Sequence, residues 1–411
     1  MKNFLLLSTG IAASIGFSPI AVAQEAKPSE QREIVVTGQS LSDTEKALFD
    51  CLARGCPPEE DIRLTLAHAE NQFVAGDYRD SRSTLRQSLG RNKKYGDELP
   101  VPVSRLYRAN SRISAHQGEA KDFQLSVLDM RDTLAGGLGK EDPRTLAAEV
   151  EVGDSRAKLG YPDEAERIYK RTEERALELG NARVATYAKL RQILLNQARL
   201  ESPSSPSSYK IELEKNVIEG LTQISQSPLE GADEFTLVAD VLLARFARKN
   251  GDETQTEALL KRFAESSGAT RPILIKSEPM PILSNNETEI KERGVLNTSD
   301  YQITRNSVGK WADIGFWVNV DGQVEDIEIL RAEGAANWLK PVAENISKRI
   351  YAPLKRGGID PVPGFYMIER YSLTANKTTQ TTGTRLSQRE PILRIERLDI
   401  TPDDYQRPEG I

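Results

Sequence analysis

The chain has 411 residues, 38% of them hydrophobic and 28% charged, which is too long and too apolar for one small domain or a globally disordered chain. Its 55 basic and 61 acidic side chains give a formal charge of -6, with no basic surplus to neutralise a phosphate backbone, so nucleic acid is not an expected partner. His68, His116, Cys51 and Cys56 are all the His and Cys there is, little material for a metal site or a nucleophilic triad, and no catalytic residue, cofactor or metal is assigned.

Residues 1–23 read as a cleavable signal peptide. Lys2 supplies the positive start, Phe4 to Ile20 is an apolar stretch interrupted by Ser, Thr, Gly and Pro, and Ala21-Val22-Ala23 is a small-x-small cleavage site. The run is too broken for the roughly 20 apolar residues of a spanning helix. A periplasmic protein without a transmembrane segment in its mature chain is therefore expected. Residues 24–40 read as an extended segment. In an oxidising compartment Cys51 and Cys56 are expected to form a disulfide, which requires the chain to leave its helix at Gly55.

From 41 to 268, apolar residues recur at helical spacing between charged faces. Hinge sequences stand at Ala75-Gly76-Asp77-Tyr78, Gln117-Gly118-Glu119-Ala120, Leu159-Gly160-Tyr161-Pro162 and Asn250-Gly251-Asp252-Glu253. The glycines at 76, 118 and 160 are separated by 42 residues each, the kind of period a helix-pair solenoid shows. Gln72-Phe73-x-x-Gly76-Asp77-Tyr78-x-x-Ser81 and Leu159-Gly160-Tyr161-Pro162-Asp163-Glu164-Ala165 resemble the tetratricopeptide (TPR) pattern, in a form longer than its usual repeat of about 34 residues. The resemblance implies a TPR-like array that binds proteins or peptides on a concave face. Arg79, Arg82, Arg86 and Arg91, with Arg105, Arg108 and Arg112, form either an anion-attracting face or a solvated helix side. His68 and His116 fall before hinges, where packing is the expected role.

Residues 269–309 read as a Pro-containing linker, and a second domain is expected over 310–400, before a frayed tail at 401–411. Trp311 to Val320 alternates like a half-buried strand, Asp321-Gly322 reads as a two-residue hairpin turn, and Gln323 to Leu330 returns. A helix is expected from Ala335 to Tyr351, a strand over Phe365 to Leu373, and another over Pro391 to Ile400. The fold class expected is thus α + α/β multidomain: an α-helical TPR-like solenoid followed by a small α+β (β-β-α-β) domain.

The order strand, Asp321-Gly322, strand, helix, Tyr351-Ala-Pro353 and Val362-Pro363-Gly364 resembles the TonB C-terminal domain family over about residues 310–375. The resemblance implies a periplasmic domain that takes up an extended receptor segment as an added strand. Glu33-Ile34-Val35-Val36-Thr37-Gly38 is similar to that receptor segment. Ile34, Val35, Val36 and Thr37, and Tyr366, Ile368 and Tyr371 on the sheet, are the residues the resemblance puts at a partner contact. The long Pro-rich spacer and the Pro-x-Tyr-Pro element of energy-transducing members are missing here. The expectation is a non-enzymatic periplasmic scaffold that binds envelope proteins or peptides. The alternative is an accessory or regulatory factor of TonB-dependent transport, acting on TonB-dependent receptors or a TonB transducer through β-augmentation.

Overall fold

The computed structural model describes residues 39–201, 206–249, 272–278, 306–334, 337–352, 364–377 and 393–401, with single positions 251, 254, 258, 280, 304 and 389. The leader and the segment at 33–38 lie outside the described residues. Ten helices come first: α1 (Leu41–Ala53), α2 (Pro58–Ala75), α3 (Tyr78–Asn92), α4 (Pro100–His116), α5 (Ala120–Leu138), α6 (Pro143–Lys158), α7 (Pro162–Glu178), α8 (Ala182–Glu201), α9 (Ser207–Gln226) and α10 (Glu234–Lys249). Each stacks on its neighbours in sequence, the arrangement of a helical repeat.

Local chemistry explains where these helices begin and end. Pro58, Pro143 and Pro162 open α2, α6 and α7 where the missing N–H costs nothing, and Glu59, Glu60 and Asp61 sit at the positive end of α2. Ser40 and Asp43 form a capping box on α1. Gly76, Gly118 and Gly160 adopt φ of 93, 72 and 87°, the left-handed region that turns α2, α4 and α6 each into the next helix. Gly55 does the same at φ 67°, bringing the Cα atoms of Cys51 and Cys56 to 5.1 Å with their sulfurs bonded.

No single helix pair closes a core alone. Ile62, Leu85 and Leu106 pack α2, α3 and α4 together, Val150, Tyr169 and Ala188 do so for α6, α7 and α8, and Leu213, Val217 and Leu242 join α9 to α10. Burying each such large side chain contributes about 1.5–3 kcal/mol. The cores run one into the next, so the array is stable as a stack.

A small antiparallel sheet region follows. Strands β2 (Trp311–Asn319), β3 (Val324–Glu333), β5 (Gly364–Thr374) and β6 (Arg394–Asp399) form a sheet in the order β3-β2-β5-β6, and β1 (Leu274–Lys276) pairs with β4 (Ile350–Tyr351). Helix α11 (Leu339–Ser347) covers one face, where Leu339, Val342 and Ile346 meet Ala312, Ile314, Phe316 and Val318.

Three local expectations are corrected. The hairpin loop holds three residues, Val320 to Gly322: the Gly322 N–H donates to Asn319 O (2.9 Å) and the Asn319 N–H to Gln323 O (2.9 Å), with Gly322 at φ 80°. The helix expected to reach Tyr351 stops at Ser347, because Ile350 and Tyr351 pair with β1 and the Tyr351 N–H donates to Gly322 O (2.8 Å). Residues 274–276, read as linker, form β1, and Ile275 packs with Val241 of α10 and Ala352.

Candidate functional site

The middle of the sheet's second face is buried too, and the C-terminal end of α2 covers it. At its centre Asp313 of β2, fully buried, accepts from Arg370 of β5 through both carboxylate oxygens (2.6 and 2.9 Å) and from Arg331 of β3 (2.8 Å). One carboxylate between two guanidiniums leaves a positive excess, and the C-terminal end of α2 offsets it. Arg370 donates to Phe73 O (2.8 Å) and Val74 O (2.6 Å), and Arg331 donates to Val74 O (3.1 Å). These carbonyls form the negative end of the helix dipole. Burial opposes the charge on Arg370, but its bonds to Asp313 and its neighbour Tyr78 raise its pKa.

The indole of Trp311 lies 4.0 Å from the Arg370 guanidinium and packs on Gly76, where a Cβ would come within 2.6 Å of the ring. Gly76 therefore serves both the left-handed turn and the contact with the sheet. The other hinges repeat the theme. At the end of α4, Gly118 O accepts from the Lys377 N–H (2.8 Å) and Gln117 O from Arg389 (2.8 Å). At the end of α6, Lys158 pairs with Glu396 of β6 (3.3 Å), and on α10 Arg245 donates to Leu274 O.

Between the first two hinges the contact is incomplete. A cleft of about 1050 Å³ opens there, walled by α3 on one side and by the end of β5 and Arg389 on the other. Its floor is His116, whose ring sits 5.0 Å from Phe73 and 4.9 Å from Tyr78, centroid to centroid, while the Tyr78 hydroxyl bonds the Ser372 hydroxyl (2.9 Å). Burial pushes the His116 pKa down to about 4, with Glu396 opposing that shift and Lys158, Arg370 and Arg394 adding to it. The imidazole is therefore neutral at physiological pH.

The cleft walls carry Arg79, Arg82, Arg86, Lys377 and Arg389 against Asp77, Asp80 and Glu119. Glu119 alone faces three cations: Lys377 (2.7 Å), Arg389 (3.6 Å) and Arg82 (3.7 Å). Arg82 also bonds Asp122. Burial lowers the pKa of Arg82 and of Arg389; Glu119 works against both shifts, while Arg86 repels Arg82 and Arg394 repels Arg389.

Of the residues singled out in the sequence, Ile34, Val35, Val36 and Thr37 lie outside the described residues. Tyr366, Ile368 and Tyr371 do not form one partner surface. β5 is an inner strand, all three side chains are buried, and they divide between faces: Tyr366 and Ile368 pack with Ile400, Tyr371 with the α11 core. The outer strands are β3 and β6. β3 is interrupted by register shifts, holds Asp326 at φ 49°, and carries Glu325, Asp326, Glu328 and Glu333. Bulges and charge are devices that blunt a sheet edge.

Arg91 and Arg108 are taken up structurally, by Asp61 (2.7 Å) and Glu151 (2.8 Å), whereas Arg79 and Arg86 are exposed at the cleft with no carboxylate within ion-pair distance among the described residues. His68 is buried and bonds Thr44 (3.2 Å). Among the described residues, Cys51, Cys56 and Glu60 form a group of metal-ligand types, but the two sulfurs are bonded to each other. Asp313, Arg331 and Arg370 escaped sequence reading, although an acid in an otherwise apolar strand was a usable signal.

No family model and no curated protein matches the chain. Among solved structures it is similar to the crystal structure of BtubC (BKLC) from P. vanneervenii, with a TM-score of 0.40 and 14% identity, over 54% of this chain and 87% of that one. It is also similar to a circular tandem repeat protein with novel repeat topology and enhanced subunit contact surfaces, with a TM-score of 0.26 and 16% identity, over 55% of this chain and 62% of that one. Neither likeness carries an argument about function. Among the described residues no helix is long and apolar enough to cross a membrane.

Proposed function

We propose that the protein is an interaction scaffold of the cell envelope that binds a protein or peptide partner without chemistry of its own, and that the binding site is the cleft between α3 and the end of β5. The observation that carries this reading is the cleft itself: about 1050 Å³ in volume, walled by charged side chains from both parts of the chain. Pockets of this size suit extended or drug-sized ligands. The bonded Cys51–Cys56 pair supports an oxidising compartment, in keeping with the signal peptide expected at residues 1–23. Strand addition in TonB-dependent transport is the weaker reading, because the open edge of β3 is bulged and acidic.

The test is site-specific photocrosslinking of the full chain in its native envelope. A crosslinker at Gln87, which lines the cleft, is expected to capture discrete proteins that a crosslinker at Glu212 on α9 does not. Equal capture from both positions, or none from Gln87, would overturn the assignment.

A further inference from the structure

The charge of the cleft specifies its ligand more narrowly than its volume does. On the side away from the first turn of α3 stand four cations, Arg82, Arg86, Lys377 and Arg389, facing two carboxylates, Glu119 and Asp122. Arg86 is exposed to the cleft with no carboxylate within ion-pair distance among the described residues. Arg82 Nε and His116 Nε2, both on residues lining the cleft, are buried without a hydrogen-bond partner. Guanidinium forks match carboxylate oxygens.

We propose that this half of the cleft binds an acidic segment of a partner protein in extended conformation, its carboxylates reaching Arg86 on one wall and Lys377 and Arg389 on the other. The inference rests on the reading of the chain as an interaction scaffold and names the chemistry of the partner. An extended peptide is favoured over a single compact oxyanion because the cations are distributed over two walls. Arg82 and Arg86 are themselves separated by about 6 Å along the axis of α3. Extended chains present same-face side chains about 7 Å apart, which matches that spacing. Asp77 and Asp80 at the first turn of α3 give the cleft a polarity: acidic residues of the ligand lie toward Arg86, and its basic or neutral residues toward Asp77.

The experiment is fluorescence anisotropy on the full chain with its disulfide intact. The probes are a labelled octapeptide containing a run of glutamates, its glutamine counterpart, and unlabelled inorganic pyrophosphate as competitor. The glutamate peptide is expected to bind with an affinity that falls as salt is raised, and at least tenfold more tightly than the glutamine peptide. Arg86→Gln combined with Lys377→Gln is expected to weaken it at least tenfold. The Lys377 backbone bond to Gly118 remains in that variant, so its melting temperature is the check on folding. Equal binding by the parent and the double variant would place the peptide elsewhere and overturn the proposal. Pyrophosphate displacing the peptide at equal or lower concentration would overturn the peptide assignment in favour of a small oxyanion. No binding of the glutamate peptide, with Gln87 crosslinks still formed, would sink the acidic-ligand inference and leave the scaffold reading standing.

Discussion

Replacing Asp313 by Asn would be the most damaging single substitution in the contact between sheet and helices. The carboxylate is fully buried, and both Arg370 and Arg331 depend on it (2.6 Å each at closest approach). Asparagine keeps the shape, removes the charge and turns one acceptor oxygen into a donor, leaving two guanidiniums in the interior with only neutral acceptors, its own Oδ1 and the α2 carbonyls. Breaking a buried pair from one side costs about 3–5 kcal/mol, and most of that is the charge left unpaired. Arg370→Leu should cost less. Arg331 still pairs with Asp313 Oδ2 and still bonds Val74 O, and Phe73 O still accepts from the Gly76 N–H, so Asp313 Oδ1 is the group left without its donor, a loss of about 1–3 kcal/mol. Arg331→Leu should cost least, because Arg370 continues to serve both Asp313 and Val74.

All three tryptophans, Trp311, Trp317 and Trp338, lie in the sheet region, whereas the helices dominate the far-UV circular dichroism. Urea unfolding followed by both signals therefore reads the two parts separately. The order Asp313→Asn, Arg370→Leu, Arg331→Leu is expected in the tryptophan transition. Equal costs for Asp313→Asn and Arg331→Leu would show that the cluster is not held by its single carboxylate. The triple variant with Asp313, Arg331 and Arg370 all made apolar should recover part of the loss seen in Asp313→Asn, since no buried charge is left unpaired, while Val74 O loses both of its side-chain donors.

Other substitutions probe other parts of the same structure. Gly76→Ala meets both a left-handed φ of 93° and the Trp311 ring, so it should cost more than 2 kcal/mol and shift the tryptophan emission; Gly55→Ala, at φ 67° with open space around its Cβ, should cost only about 1–2 kcal/mol. Removing the Cys51–Cys56 bond, whose partners are 5 residues apart, should lower stability by about 2 kcal/mol on loop entropy, read as faster hydrogen exchange in α1. His116 gives a pH dependence. It stays neutral when folded but takes a proton below its ordinary pKa of about 6.5 when unfolded, so its contribution is complete above pH 6.5. About 3 kcal/mol of it is lost as the pH falls toward 4, and His116→Gln should flatten that part of the profile.

The helical array was legible because its signals are local. A glycine at the turns after α2, α4 and α6, proline at the first position of α2, α6 and α7 and the acidic first turn of α2 are determined within a few residues, and the 42-residue spacing follows from repeating the glycine turn. The strands β2, β3 and β5 were legible from alternation for the same reason. What escaped were facts set by distant parts of the chain. Trp311, Asp313 and Arg370 are buried because α2 covers them, which nothing local to their strands records. The bond from Arg370 to Val74 spans 296 residues, and no periodicity encodes it. Tyr366, Ile368 and Tyr371 were placed at a partner contact by resemblance, but β6 and α11 complete the sheet around them.

The helix ends also account for where the cations of the sheet region stand. Even-numbered helices in a stacked array point their C-terminal ends the same way, and each end concentrates unsatisfied carbonyls and partial negative charge. A domain docking on that row gains most by bringing donors, and Arg331 and Arg370 meet α2 while Arg389 meets α4. At α6 the helix brings its own cation, Lys158, and the sheet answers with Glu396. Between the first and second ends the cleft opens. The cations there, Arg82, Lys377 and Arg389, converge on Glu119 instead. The positive surplus of the cleft thus accords with a sheet that brings its donors to helix ends, and the acidic segment proposed above is the ligand that would complete the charge pairing at Arg86.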